Sequence, residues 1–68
     1  MTNEEWLKNN KDQYRGKYVA LSYGELISWG FKSYYCYECL PREFKAFDGT
    51  EFAYQMFFID KEGFVSKV

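Results

Sequence analysis

The sequence predicts an α+β fold: an N-terminal helix packed on a small antiparallel sheet of four to five strands, all within a single domain spanning 1–68. Three observations predict it. A helix-capping pattern opens the chain. Two later stretches alternate apolar and polar residues and turn back on themselves. Two Trp, seven Tyr and seven Phe crowd into 68 residues, mostly in β-prone runs. A chain this short buries only about 60% of the surface its unfolded form exposes. Dense aromatic packing or self-association must therefore make up for a small interior.

Thr2 and Glu5 stand three apart, the spacing of a capping box. Glu4 and Glu5 suit the positive end of a helix dipole, and Lys8 and Lys11 follow toward its other end. Trp6, Leu7 and then Tyr14 supply a narrow apolar face. A helix is predicted from about residue 3 to 13, with Lys8 to Gln13 facing solvent. Gly16 ends this pattern.

Lys17 to Ser22 alternates, with Tyr18, Ala20 and Ser22 on one side and Val19 and Leu21 on the other. Tyr23-Gly24 reads as a turn, and Leu26, Ile27 and Trp29 resume strand character before Gly30. Tyr tolerates positive φ poorly, so the expectation is a type I turn at Tyr23 with Gly24 as a left-handed bulge. Residues 31 to 40 admit two readings. Ser33 could cap a helix holding Tyr34 to Leu40, but Tyr34-Tyr35-Cys36-Tyr37 is β-prone and Pro41 limits any helix, so a strand is the favoured reading. Pro41 then starts a short helix through Phe47, with Phe44 and Phe47 on one face.

Asp48-Gly49 is a predicted turn. Thr50 to Asp60 is the longest strand candidate, with Phe52, Tyr54, Met56 and Phe58 on one face and Ala53, Gln55, Phe57 and Ile59 on the other. Asp60 to Gly63 turns the chain again, and Phe64 to Val68 returns antiparallel. The sheet thus comes from two hairpins, 17–30 and 50–68, and the predicted core is Trp6, Val19, Leu21, Ile27, Phe57 and Ile59.

The stretch Trp6…Tyr14-Arg15-Gly16-Lys17-Tyr18-Val19-Ala20-Leu21, then Gly24, Leu26-Ile27 and Gly30, resembles a small uncharacterised prokaryotic family, a domain of unknown function. That family reads aromatic-x-Gly-Lys-aromatic-Val-Ala-Leu, a turn, and a second strand ending in Gly. The resemblance covers about residues 6–30. It implies a β-hairpin and no activity. Downstream, such sequences are helical and aliphatic, whereas this one is aromatic and interrupted by Pro41.

The formal net charge is -1, from nine Lys and Arg against ten Asp and Glu. The signs are interspersed, which argues against nucleic acid as a partner, since phosphate neutralisation supplies most of that affinity. No apolar run reaches the roughly 18 residues of a membrane span. The acidic start is unlike a signal peptide, so a cytoplasmic location and no membrane partner are expected.

There is no His. That removes the commonest general base and leaves Ser22, Ser28 and Ser33 without an activator, so no catalytic residue is assigned. Glu38, Glu43, Asp48 and Glu51 could supply a carboxylate pair, but a chain this small rarely builds the cleft it needs, and solvated surface charge is the simpler reading. Gly16, Gly24 and Gly30 are spaced as turn residues, too widely for a phosphate loop.

Cys36-Tyr37-Glu38-Cys39 is a C-x-x-C. The thiols read first as structural. As zinc ligands, Cys36 and Cys39 provide two of four, so zinc would have to be shared across a dimer; no other cofactor is expected. A redox pair is the remaining alternative.

The aromatic surplus points to a non-enzymatic protein-binding module, an inhibitor or adaptor of the kind phages direct against host enzymes or defence systems. Its candidate contact residues are Tyr34, Tyr35, Tyr37, Tyr54, Met56 and Phe58. Phe31 and the Tyr34 run could instead stack the bases of single-stranded nucleic acid. An uncovered patch of Tyr54, Met56 and Phe58 predicts a two-fold homodimer.

Overall fold

The capping box forms as its spacing requires. In the computed structural model, which describes residues 2–45 and 54–68, the Glu5 amide donates to Thr2 Oγ1 at 3.1 Å and the Thr2 amide donates to Glu5 Oε1 at 3.0 Å. Helix α1 follows over Asn3–Asn10. It is shorter than the sequence suggests. Asn10 leaves helical geometry at φ -124 and its side-chain amide donates to the Trp6 carbonyl at 2.9 Å, so the chain tightens to a 3₁₀ turn over Lys11–Gln13. Trp6 and Leu7 are its buried residues.

Strands β1 (Lys17–Ser22) and β2 (Glu25–Gly30) pair antiparallel. The turn between them corrects the expectation. Tyr23 and Gly24 both take positive φ, 49 and 83, and Ser22 faces Glu25 directly. This is the type I′ geometry, whose twist matches that of the strands it joins. Asn3 helps hold it, accepting from the Gly24 amide at 2.7 Å while its own amide donates to Gln55 Oε1 at 2.8 Å. The bulge lies instead at Ile27, between the pairs Ala20↔Ser28 and Leu21↔Leu26.

The favoured strand at 31–40 is overturned. Ser33–Glu38 forms helix α2, beginning after Lys32, which offers no side-chain cap; Ser33 is its first helical residue. The β propensity of the tyrosines loses to burial. Cys36 and Leu40, four apart, seat on Ala20, while Tyr34, Tyr35 and Tyr37 turn outward. Beyond Pro41 a 3₁₀ turn spans Arg42–Lys45, with the Phe44 amide donating to the Pro41 carbonyl at 2.9 Å. The rest of the predicted 41–47 helix, the Asp48-Gly49 turn and the strand portion up to Ala53 lie outside the described residues.

Strands β3 (Gln55–Ile59) and β4 (Val65–Lys67) complete a four-stranded antiparallel sheet in the order β2-β1-β3-β4. Asp60 shapes the turn between them, its carboxylate accepting from the Glu62 and Phe64 amides at 2.8 and 2.9 Å. β1 and β3 lie inside and are covered on both faces. On one face Trp6, Leu7, Val19, Leu21 and Ile59 form a buried cluster, with Tyr14, Leu26 and Phe57 against it. On the other, Ala20, Cys36 and Leu40 are buried, flanked by Tyr18, Ile27, Phe44, Tyr54 and Met56. Of the predicted core, Trp6, Val19, Leu21 and Ile59 are buried; Phe57 is half-buried, and Ile27 joins the α2 side.

Candidate functional site

Helix α2 is held to the sheet by fit and by one buried hydroxyl. A Cβ at Gly30 would stand 2.8 Å from the Cys36 backbone nitrogen and 3.0 Å from Tyr35 Cβ, so only glycine allows this approach. Ser28 Oγ donates to the Cys36 carbonyl at 2.9 Å and lies 3.4 Å from its Sγ. The docked helix has two faces. Its inner face carries Cys36. Its outer face presents Tyr34 (65% exposed), Tyr35 and Tyr37 to solvent, with the Tyr34 and Tyr35 rings 5.7 Å apart. These three predicted contact residues are therefore accessible and adjacent.

Tyr54, Met56 and Phe58 are placed differently. All three are half-buried. Tyr54 and Met56 pack on the Cys36–Leu40 cluster, and the Phe58 ring lies 4.7 Å from that of Tyr18. Burial is the main reason the Tyr54 phenol titrates above its usual range, with Tyr37 and Cys36 adding to it. Helix α2, read from sequence as a strand, and Leu40 beyond it thus meet Tyr54 and Met56, while all three side chains keep part of their surface exposed.

A second set of rings, of which the sequence reading named only Phe31 as a contact residue, lies beside β2. Trp29 (41% exposed) and Phe31 (66% exposed) stand two residues apart at the outer strand, their rings 5.6 Å apart and edge to face. Tyr14 lies 6.3 Å from Trp29 and 5.3 Å from Trp6. A ladder of rings thus runs from the buried core to the surface. Lys17 Nζ sits among its outer members, 5.1 Å from the Trp29 centroid and 5.7 Å from those of Tyr14 and Phe31. The signal was present in the i, i+2 spacing of Trp29 and Phe31, but Gly30 between them read as a strand end.

Trp29 and Phe31 also border an open groove of about 530 Å³, together with Ile27, Ser28, Gly30, Tyr35 and Cys39. Through Tyr35 this groove connects the Trp29–Phe31 rings with the tyrosines of α2. The result is an extended aromatic surface built from β2, the following loop and one helix.

The cysteines do not form a matched pair. Cys36 is fully buried and Cys39 exposed. Burial pushes the Cys36 thiol above its ordinary value, and the Ser28 hydrogen bond offsets only part of that. A buried thiol facing Ala20 is poorly placed to share zinc with a second chain or to exchange with a disulfide. Among the described residues, no group of three or more His, Cys, Asp or Glu is placed to hold a metal.

Of the acids, Glu38 and Glu43 are exposed on separate elements, while Asp48 and Glu51 lie outside the described residues. Ser22 and Ser28 are buried. No helix among the described residues is long and apolar enough to cross a membrane. Comparisons with protein-family models, with curated proteins and with solved structures gave no match.

Proposed function

We propose that this chain is a non-enzymatic, cytoplasmic protein-binding module, acting as an inhibitor or adaptor through its aromatic surface. The observation that carries the reading is the exposure of Trp29, Phe31, Tyr34, Tyr35 and Tyr37 on neighbouring elements of so small a protein. Interface cores are rich in Trp, Tyr and Phe, and leaving such rings in water is otherwise unfavourable. A phage counter-defence role fits the size and composition by analogy alone.

Affinity capture from the native host tests the reading. The wild type should retain a specific protein that a Trp29→Ala/Phe31→Ala or a Tyr34→Ala/Tyr37→Ala variant, checked for folding, releases. Retention of nothing specific by the folded wild type sinks it. The competing readings have their own signatures. A metal or redox protein would lose activity on replacing Cys36 and Cys39 with Ser. A single-strand nucleic-acid binder would hold an oligonucleotide with steep salt dependence.

A further inference from the structure

We propose that Lys17, with the rings of Trp29 and Phe31, recognises an acidic residue flanked by an apolar side chain on the protein partner. This deepens the binding-module reading and rests on it.

The argument starts from the state of the Lys17 ammonium. Three rings surround it at 5.1 to 5.7 Å. Ring quadrupoles attract a cation without neutralising it, so its full charge remains available. No carboxylate of the described residues pairs with Lys17. The neighbouring cation, Arg15, is by contrast matched to Asp12 at 2.8 Å. The rings also hold the long side chain in place, so less rotamer freedom is lost when a partner arrives. Lys32, exposed in the loop between β2 and α2, adds a second positive charge.

Trp29 and Phe31 belong both to the Lys17 cluster and to the groove. The groove's lining of Ile27, Ser28, Gly30, Tyr35 and Cys39 offers no permanent charge. An aliphatic or aromatic side chain fits it, and a carboxylate beside that side chain can reach Lys17. Contact would exclude water from the rings and strengthen the pairing, because a charge-assisted hydrogen bond gains as the local dielectric falls. A basic partner is repelled by Lys17 and Lys32. A nucleic-acid strand would need a track of cations along its phosphates, and the chain's overall balance is slightly acidic.

The test is selection from a phage-displayed random peptide library on the wild-type protein. Selected peptides are then titrated into the wild type, Lys17→Gln and Tyr34→Ala/Tyr37→Ala, following the Trp29 indole N–H by NMR. The expected result is enrichment of Asp or Glu next to Leu, Ile, Phe or Trp. Affinity should fall on the order of tenfold in Lys17→Gln, the usual scale of one charge-assisted contact, and change little in the tyrosine variant. Lys17 is half-buried at the start of β1, and the dispersed spectrum of Lys17→Gln verifies its fold.

Peptides without an acid, or equal affinity for Lys17→Gln, overturn the proposal. Peptides that map to Tyr34 and Tyr37 overturn it while leaving the binding-module reading intact. Failure to enrich any peptide overturns both. Binding of oligo(dT) that depends on Lys17 and displaces the peptides assigns the site to nucleic acid instead, and overturns the proposal.

Discussion

The face of the sheet beneath α1 is filled by large side chains, whereas the face beneath α2 has small ones at the helix's seat and larger ones around it. Trp6, Leu7, Val19, Leu21 and Ile59 interdigitate on the first. On the second, Ala20, Gly30 and Ser28 make room for a helix to lie close, with Cys36 and Leu40 as its anchors. The first face gains stability from apolar area removed from water. The second gains it from closeness of fit. Opposite kinds of substitution should therefore damage them: large to small under α1, small to large under α2.

The greatest effect is expected from Leu21→Ala, which empties a fully buried site between α1 and the sheet. A loss of about 2–5 kcal/mol in urea denaturation is expected. A loss below about 1 kcal/mol would mean that this face can collapse around the gap and is not the principal core.

Next comes Gly30→Ala. The added methyl meets backbone atoms of Tyr35 and Cys36, which can yield only if α2 retreats. The expected cost is about 1–3 kcal/mol. Hydrogen exchange should accelerate in α2 well before it does in the β1–β3 ladder. Uniform acceleration would show that the two faces unfold together and that the distinction between them is geometric only.

A smaller effect separates the helix ends. Helix α1 has a reciprocal cap, whereas α2 follows Lys32 with no side-chain cap. Thr2→Ala should cost about 1 kcal/mol by thermal denaturation. Fraying seen by NMR should stay within the first turn of α1.

The smallest effect is on pH dependence, where the two faces should respond in opposite directions. Thr2's backbone amide holds the Glu5 carboxyl below its ordinary range. Its contribution is present above the unfolded carboxyl value and is lost as pH falls through the folded one. Under α2, burial raises the Cys36 thiol and the Tyr54 phenol. Their contribution is present below the unfolded values and is lost as pH climbs from about 8.5, the ordinary thiol value, toward the folded ones. Denaturation midpoints measured across the alkaline range should fall, and fall less in Cys36→Ala. An unchanged slope in that variant would remove the thiol from the account.

The same contrast explains what the sequence disclosed. The elements around α1 are written in local chemistry. Thr2 with Glu5 marks a helix start, Gly24 a hairpin turn, and Asp60 to Gly63 another, so α1, β1, β2, β3 and β4 could all be read from short-range signals. Helix α2 was the less favoured of two readings. Its tyrosines favour a strand, and what makes it a helix is the seat offered by Gly30, just before it, and by Ala20 on the neighbouring strand. That one misreading also hid the contact of Tyr54 and Met56 with the Cys36–Leu40 cluster. Phe58→Glu should destabilise the fold by disturbing the Tyr18 contact, with light scattering unchanged. A dimer in the wild type that becomes a folded monomer in this variant would support the two-fold pairing expected of this patch.

The candidate site divides similarly. Tyr34, Tyr35 and Tyr37 were visible as a run of rings. The cluster around Lys17 was not, because Tyr14, Lys17, Trp29 and Phe31 come from three segments and meet only when β1 pairs with β2.

The irregularity at Ile27 has a consequence for crowded conditions. Strand β2 lies at the margin of the sheet, where a regular row of open amides and carbonyls would invite other chains to join and grow into fibres. The extra residue breaks that row near its middle. The opposite margin, β4, spans only Val65–Lys67 and ends in a charged side chain. A sequence so rich in Tyr, Phe and Trp would otherwise be an aggregation hazard, and both borders of its sheet are blunted against it.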